Sequence, residues 1–211
     1  RTRDADLLGY GDPSVGRISE VFREVAATVP DVDDGLNFET AAVRVVPVRE
    51  DEEYPGLRVT LRARLAGARA NLQIDVAFGQ AVVPEPQVVE LPVLLDLPRP
   101  RLRGYPVESV VAEKFEAIVR FGLRNGRLKD YYDLWRIFSK YPPGPRMLAR
   151  AVAATFARRG TALPEDVPPG LSAGYADADR RRQWAAFLER TAAAERPELA
   201  DVIATVRSGI M

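Results

Sequence analysis

The sequence contains neither cysteine nor histidine, and these two absences exclude much of the usual chemistry of enzyme sites. Without cysteine, the chain has no disulfide framework, no thiolate nucleophile and no cysteine-ligated zinc. Without histidine, it lacks the commonest general base and metal ligand. A bound metal would depend on carboxylates, carbonyls and water, which suit magnesium or manganese. Histidine-based triads, zincins and most metallohydrolases are therefore excluded.

Long apolar runs and a net charge are also missing. No stretch approaches the roughly 18–20 apolar residues of a membrane span, and the apolar segment 82–97 is interrupted by prolines. No signal peptide is recognisable, so we expect a cytoplasmic protein without a membrane partner. The formal net charge is zero, which provides no global attraction for nucleic acid.

Charge is nevertheless distributed unevenly along the chain. Residues 31–53 contain eight acids against two arginines, whereas residues 99–129 contain eight basic residues against three glutamates. Such asymmetry often marks only a solvated surface. It also gives a phosphate-bearing ligand a preferred side.

The hydrophobic period changes near residue 105. Before it, Asp12 at the cap and Pro13 in the first turn predict a helix that runs to about Val29. Alternating apolar residues predict strands at 38–48, 57–65, 69–78 and near 88–94. After it, helices are expected at about 106–122, 129–139, 145–158, 178–192 and 197–208, with a linker at 163–171. We predict an α+β fold with a sheet lobe over 1–104 and a helical lobe over 105–211.

Three aspartates of the sheet lobe are candidate metal ligands. Asp4 and Asp6 have the i, i+2 spacing that places both carboxylates on one face of a strand. Two like charges held together are costly unless a cation joins them. Asp75 is the one acid in a strand whose alternate residues are large and apolar. The alternatives are solvated acids at a strand end for the pair, and a surface residue of an edge strand for Asp75.

Lys114 is the candidate cation of the helical lobe. It shares a helical stripe with four apolar residues, so it must either extend its stem to solvent or meet an anion. Asp130 and Asp133 lie one turn apart at the start of the next helix. Capping of that helix is an alternative for Asp130. An ion pair from either aspartate to Lys114 would explain why all three residues lie near apolar stripes.

Together these residues are typical of in-line phosphoryl or nucleotidyl transfer. Three carboxylates around magnesium make a site for such a displacement. The lysine would neutralise charge on a triphosphate, and a carboxylate would accept the proton of the attacking hydroxyl. Asp4, Asp6 and Asp75 are expected to face one cavity, and Lys114 to project into it.

Four segments resemble the AbiEii/AbiGii-type nucleotidyltransferase toxins, a family that includes the MenT toxins of type IV toxin–antitoxin systems. They are, in order, RTRDADLL, LQIDVAFG, YPVESVVAEKFEAIVRFG and NGRLKDYYDL. The later QWAAFLER, followed by a short last helix, is similar too, so the resemblance covers essentially the whole chain. The AEK and R-x-K-D-x-x-D-L motifs together are quite specific, whereas Asp-x-Asp alone is not.

The resemblance implies a DNA polymerase β-like nucleotidyltransferase fold and a role for each candidate residue. Asp4 and Asp6 would hold magnesium or manganese, and Asp75 would be the further carboxylate. Lys114 would be the essential lysine, and Asp130 the late catalytic aspartate that acts as base or orienting acid. Residues in supporting or ligand-binding roles would be Arg127, Lys129 and Asp133.

The resemblance also implies an activity and partners. Members of the family transfer nucleotides from a nucleoside triphosphate, some of them to the 3′ end of tRNA, which blocks translation, and others bind GTP. The cognate antitoxin, often with a winged-helix DNA-binding domain, acts without a stable complex. We expect Arg120, Arg124 and Arg127 to contact the RNA backbone. The alternatives are that these arginines only solvate a helix end, or that Arg127 positions the triphosphate or Asp130.

One feature of the family has no counterpart in the sequence. The family places a Gly-Gly or Gly-Ser loop upstream of the Asp-x-Asp, where backbone amides cradle the triphosphate. The sequence starts at Arg1, so we expect it to begin partway into the active-site motif, and activity of this chain alone depends on that loop. The alternatives to an active transferase are a catalytically inactive or truncated transferase-like interaction module, and a magnesium-dependent nuclease.

Overall fold

The computed structural model describes residues 5–48, 56–93 and 96–211, so Asp4 of the predicted site lies outside the described residues. The chain divides into two compact units, Arg1–Gln80 and Ala81–Met211. The predicted lobes, 1–104 and 105–211, follow the same order and differ in the placement of residues 81–104.

The first unit is built on a mixed sheet. Its strands are β1 (Ala5–Gly9), β2 (Leu36–Phe38), β3 (Arg44–Val48), β4 (Gly56–Leu65) and β5 (Ala68–Phe78). The sheet order is β1-β5-β4-β2, and β3 also pairs with β4. β1 is parallel to β5, and the other pairs are antiparallel. Ala66 and Gly67 join β4 to β5 with φ values of 47° and 88°, as a two-residue hairpin turn requires.

Among the described residues of this unit there is one α-helix, α1 (Val15–Ala27). Ile18 and Ala26 of the helix are buried with apolar side chains of the sheet. The prediction that Asp12 caps the helix is wrong. Ser14 is the N-cap and its side chain accepts a hydrogen bond from the Arg17 N–H, while the Asp12 carboxylate accepts from the Ser14 N–H and Oγ.

Two strand predictions need correction. The predicted strand 38–48 is split, because Thr40–Ala42 form a 3₁₀ turn between β2 and β3. The strand predicted near 88–94 is the shorter β6 (Gln87–Glu90). It pairs antiparallel with β7 (Arg101–Gly104), which was not predicted. The prolines that surround these four-residue strands remove the long alternation on which a strand prediction depends.

Where the structure describes it, the second unit contains this two-stranded ribbon and five α-helices. They are α2 (Val107–Phe121), α3 (Leu128–Lys140), α4 (Pro145–Arg158), α5 (Ala178–Arg190) and α6 (Leu199–Ile210). All five predicted helices are confirmed within about two residues at each end, the margin at which assignments usually differ. Their apolar faces form one core, whose fully buried members include Val111, Ile118, Tyr131 and Leu134.

The predicted linker at 163–171 ends in a packed segment. Gly170 and Leu171 are buried, and the Gly170 carbonyl accepts a hydrogen bond of 3.0 Å from the Tyr131 hydroxyl. A Cβ at Gly170 would lie 2.8 Å from the Ile118 side chain. Glycine therefore lets this segment lie close to α2.

The mixed sheet and the helices confirm the predicted α+β class. Over the part of the chain that the structure describes, each helix is too short or too polar to cross a membrane.

Candidate functional site

Asp6 and Asp75 occupy matching positions on neighbouring strands. Their Cα atoms are partners in the parallel pair of β1 and β5. Residues in register on adjacent strands project to the same face, and the strands lie about 4.8 Å apart. The structure therefore places these two predicted ligands on one face of the first unit. The edge-strand alternative for Asp75 is wrong, because β5 lies between β1 and β4.

The Asp75 carboxylate is held by Arg58, a partner that was not predicted from the sequence. Arg58 donates from Nε to Oδ1 and from Nη2 to Oδ2, each at 2.8 Å. Arg58 lies opposite Asp75 in the antiparallel pair of β4 and β5. Counting back from the two-residue turn at Ala66 and Gly67 would have identified it. Each carboxylate oxygen has two lone pairs, so Asp75 can accept from Arg58 and still ligate a cation.

The described residues alone do not form a complete metal site. Across residues 5–48, 56–93 and 96–211, no three acidic side chains are grouped so that they could hold a metal ion. The third predicted ligand is Asp4, outside these ranges. The set of Asp4, Asp6 and Asp75 stays a prediction.

Lys114 forms the predicted ion pairs in the second unit. Its Nζ lies 2.6 Å from Asp130 Oδ1 and 3.0 Å from Asp133 Oδ2. The Lys114 side chain is only 18% exposed and that of Asp130 only 6%. Extension to solvent is therefore excluded as the explanation for Lys114. No side-chain hydrogen bond caps α3, but Asp130 lies in its first turn, where a carboxylate favours the helix dipole, so this role accompanies the ion pair to Lys114.

Two further cations extend this cluster. Arg127 Nε lies 2.5 Å from Asp130 Oδ2, and Lys129 Nζ lies 2.7 Å from Asp133 Oδ2. Charges alternate along the chain of contacts, with three cations and two carboxylates. We call these five residues the Lys114 network. It has one positive charge in excess, and its outer cations are more than half exposed, so it can attract an anionic ligand.

The network fixes the charge of its central residues. Burial acts to lower the pKa of Lys114, but the carboxylates of Asp130 and Asp133 outweigh it and raise that pKa above its ordinary value. Burial acts to raise the pKa of Asp130, but Lys114 and Arg127 outweigh it and hold that pKa below its ordinary value. At neutral pH Lys114 is a cation, suited to neutralising phosphate and unsuited to acting as a base or nucleophile.

Replacing Asp130 with asparagine should lower the free energy of unfolding at pH 7 by about 1–3 kcal/mol. Because the folded pKa of Asp130 lies below the unfolded value of about 3.9, its stabilising charge is present above that pH and lost as the pH falls through the folded pKa. Urea unfolding of both proteins should show the difference shrinking below about pH 4. A difference that stays constant from neutral to strongly acidic pH would contradict this explanation.

The other predicted basic residues are exposed. Arg120, in the last turn of α2, has its guanidinium 5.5 Å from the centre of the Phe121 ring. Arg124 ends a short 3₁₀ turn that follows α2. Both therefore lie in the second unit, Arg120 at the end of the helix of Lys114 and Arg124 in the connection to the helix of Asp130.

Glu116 is a buried acid whose contacts were not predicted from the sequence. Its side chain is 1% exposed and accepts from Arg159 Nη1 at 2.7 Å and from Thr161 Oγ1 at 2.6 Å. It lies one helical turn after Ala112, which is also buried. This spacing on the apolar side of the helix is the sequence feature that could have predicted its burial. These contacts tie α2 to the end of α4.

The comparisons with known proteins identify one family. Residues 2–205 match the model of a family described as nucleotidyl transferase AbiEii toxin, type IV TA system. Comparisons with curated proteins and with solved structures each gave no match. The matched range includes all the predicted site residues in both units.

Proposed function

Because the chain belongs to the AbiEii nucleotidyl transferase toxin family of type IV toxin–antitoxin systems, we propose that it transfers a nucleotide from a nucleoside triphosphate to RNA. The acceptor is the 3′ end of tRNA, so that the modified tRNA blocks translation. In this reaction the terminal hydroxyl of the RNA attacks the α-phosphorus and pyrophosphate leaves. Negative charge moves onto the leaving group during the attack.

The Lys114 network is the observation that supports this activity most directly. A lysine that is 18% exposed and held by two carboxylates is oriented before any substrate binds. Fixed cations of this kind stabilise developing charge without reorganisation at the moment of reaction. Lys114 would neutralise the triphosphate, with Arg127 and Lys129 as the more exposed cations beside it.

Asp130 fits the orienting role better than the role of general base. An efficient base has a pKa near the working pH, whereas Lys114 and Arg127 hold the pKa of Asp130 below its ordinary value against the effect of burial. Its two oxygens accept from these two cations. Asp130 would therefore fix the ammonium of Lys114, while a carboxylate of the sheet set accepts the proton of the attacking hydroxyl.

Asp6 and Asp75, together with Asp4, would hold Mg²⁺ or Mn²⁺. The in-register placement of Asp6 and Asp75 and their hard oxygen donors fit such an ion. The ion would supply Lewis-acid stabilisation of the phosphoryl oxygens. Arg58 would hold the Asp75 carboxylate in one orientation through its two hydrogen bonds.

A transfer assay tests the proposed function. The full-length protein as its gene encodes it is incubated with each α-labelled nucleoside triphosphate, Mg²⁺ and total tRNA. We expect label on tRNA with at least one nucleotide, and none when the tRNA lacks a free 3′ hydroxyl. RNA cleavage without triphosphate would indicate a nuclease, and neither reaction would indicate an interaction module.

Changing Arg120, Arg124 and Arg127 together to glutamine should weaken tRNA binding and flatten its dependence on salt. Removing one cation that touches a phosphate reduces the slope of log affinity against log salt by about 0.7–0.9. Filter binding across a salt series measures both quantities. Because Arg127 also pairs with Asp130, the double variant of Arg120 and Arg124 separates RNA binding from that ion pair.

A triple variant at three other exposed arginines of the second unit, Arg146, Arg150 and Arg207, is the matched control for this experiment. It should keep the slope of the wild type. If the two triple variants bind tRNA equally well, RNA recognition lies elsewhere, and Arg180, Arg181 and Arg182 become the next residues to test.

The type IV family implies a cognate antitoxin. We propose that it acts without a stable complex with the toxin. Co-expression of the two proteins, followed by size-exclusion chromatography, should give separate peaks, whereas co-elution would contradict this part of the proposal.

A further inference from the structure

The connection between α2 and α3 is organised around one buried asparagine. Asn125 is 1% exposed and lies in the six-residue connection of residues 122–127. Its Nδ2 donates to the Ala117 carbonyl at 3.3 Å, and its Oδ1 accepts from the Arg127 N–H at 2.9 Å. The side chain therefore joins the last turns of α2 to the N-cap residue of α3.

The backbone of the same connection is held from the C-terminal side of the unit. The Tyr175 hydroxyl donates to the Asn125 carbonyl at 2.6 Å. Arg180 Nη2 donates to the Leu123 carbonyl at 3.0 Å, and its guanidinium lies 4.7 Å from the centre of the Tyr175 ring. Tyr175 and Arg180 thus hold the backbone of the connection, and the Asn125 side chain links the connection to both helices.

The two bonds of the Asn125 side chain end close to the Lys114 network. Ala117 lies three residues after Lys114 on α2, and Arg127 lies three residues before Asp130. Arg127 is itself a member of the network, through its ion pair with Asp130. A change in the angle between the two helices would separate the Lys114 ammonium from both carboxylates, because these groups lie on different helices.

We propose that Asn125 is a positioning residue, which holds α2 and α3 at the angle that keeps Lys114 paired with Asp130 and Asp133. Its importance for nucleotide transfer rests on the function proposed above, whereas its effect on the ion pair does not. The amide meets both bonds at once, because its Nδ2 donates to the Ala117 carbonyl and its Oδ1 accepts from the Arg127 N–H. Aspartate retains the acceptor for Arg127 and loses the donor for Ala117.

Hydrogen exchange of the Lys114 ammonium measures this positioning without substrate. The chain has only three lysines, Lys114, Lys129 and Lys140, so the ammonium signals of protein with ¹⁵N-labelled lysine can be assigned with a Lys114→Arg variant. We expect Asn125→Ala to accelerate exchange at Lys114 by about tenfold or more, because the buried pair opens more often. Asn125→Asp, which changes the shape least, should act in the same direction.

Trp184→Phe is the matched control. Like Asn125→Ala, it removes hydrogen bonding by a buried side chain in the same unit, in this case one bond. That bond runs from Trp184 Nε1 in α5 to the carbonyl of Pro197, in the connection between α5 and α6, at 2.8 Å. It should leave exchange at Lys114 and the rate of transfer unchanged. In the transfer assay, Asn125→Ala should lower kcat and kcat/KM together, as expected when an interaction of the transition state is weakened.

The outcomes separate this inference from the proposed function. If Lys114 exchanges at the wild-type rate in both Asn125 variants, or equally fast in the Trp184 control, the positioning role is overturned even when the protein transfers nucleotides. If Asn125→Ala does not fold, Asn125→Asp decides. If the wild type transfers no nucleotide but the Asn125 variants alone accelerate exchange, the positioning role stands and the transferase function falls.

Discussion

Replacing Lys114 with methionine is expected to lower the rate of nucleotide transfer by about a hundredfold or more, the usual cost of losing one oriented charge at a reaction centre. Methionine keeps an apolar side chain of similar length at this position of α2 and removes only the ammonium. The fall should appear in kcat and in kcat/KM together, because the charge that Lys114 neutralises develops during the reaction. Label transfer to tRNA under saturating triphosphate measures it.

The fold should survive this change because of the charges that remain. Without Lys114, Asp130 still pairs with Arg127 and Asp133 still pairs with Lys129, so neither carboxylate is left without a cation. Leaving a buried charge unpaired is what makes most changes in buried ion pairs severe. Thermal unfolding followed by circular dichroism should therefore show a cooperative transition for the variant.

Lys140→Met is the matched control for this experiment. Lys140 is a lysine of the same unit that also pairs with a carboxylate, that of Glu195, and both side chains are more than a third exposed. This variant should transfer nucleotides at the wild-type rate. A Lys114→Met protein with full activity would show that the lysine only pairs with its aspartates, and the transferase mechanism would need another cation.

The helical part of the fold could be predicted from the sequence because its signals are local. Apolar residues at helical spacing, with Pro145 at the start of α4 and Asp177 at the cap of α5, mark elements whose ends depend on few residues. The prediction of one strand over 38–48 was wrong because a 3₁₀ turn at Thr40–Ala42 interrupts it. Apolar residues lie both before and after this turn in the sequence, so the segment resembles one continuous strand. Composition alone does not show such a break.

The two halves of the candidate site also differed in how far their contacts could be predicted from the sequence. The partners of Lys114 could be predicted because a charged residue on an apolar helical stripe requires an anion, and Asp130 and Asp133 follow at the next helix. The partner of Asp75 depends on strand register, so Arg58 became apparent only from the pairing of β4 and β5. The role of Asn125 could not be predicted, because its partners are backbone groups, which the side-chain sequence does not identify.

Replacing Asp75 with asparagine is the second change with a large expected effect. Asparagine keeps the size of the side chain and removes the negative charge that would ligate Mg²⁺ or Mn²⁺ beside Asp6. We expect transfer to fall by about a hundred- to a thousandfold at a fixed magnesium concentration. We also expect the half-saturating concentration of magnesium to rise, because ion affinity depends on the number of charged ligands. Transfer rates across a magnesium series measure both effects.

Glu39→Gln provides the matched control in the first unit. Glu39 is also a carboxylate held by arginines, since it accepts from Arg62 at 3.2 Å and from Arg64, but it is not a predicted ligand. Its loss removes the same kind of surface ion pair, whose contribution to stability is usually below about 1 kcal/mol. The control should retain the wild-type magnesium dependence. If Asp75→Asn behaves like Glu39→Gln, Asp75 serves only to pair with Arg58, and the metal must be held without it.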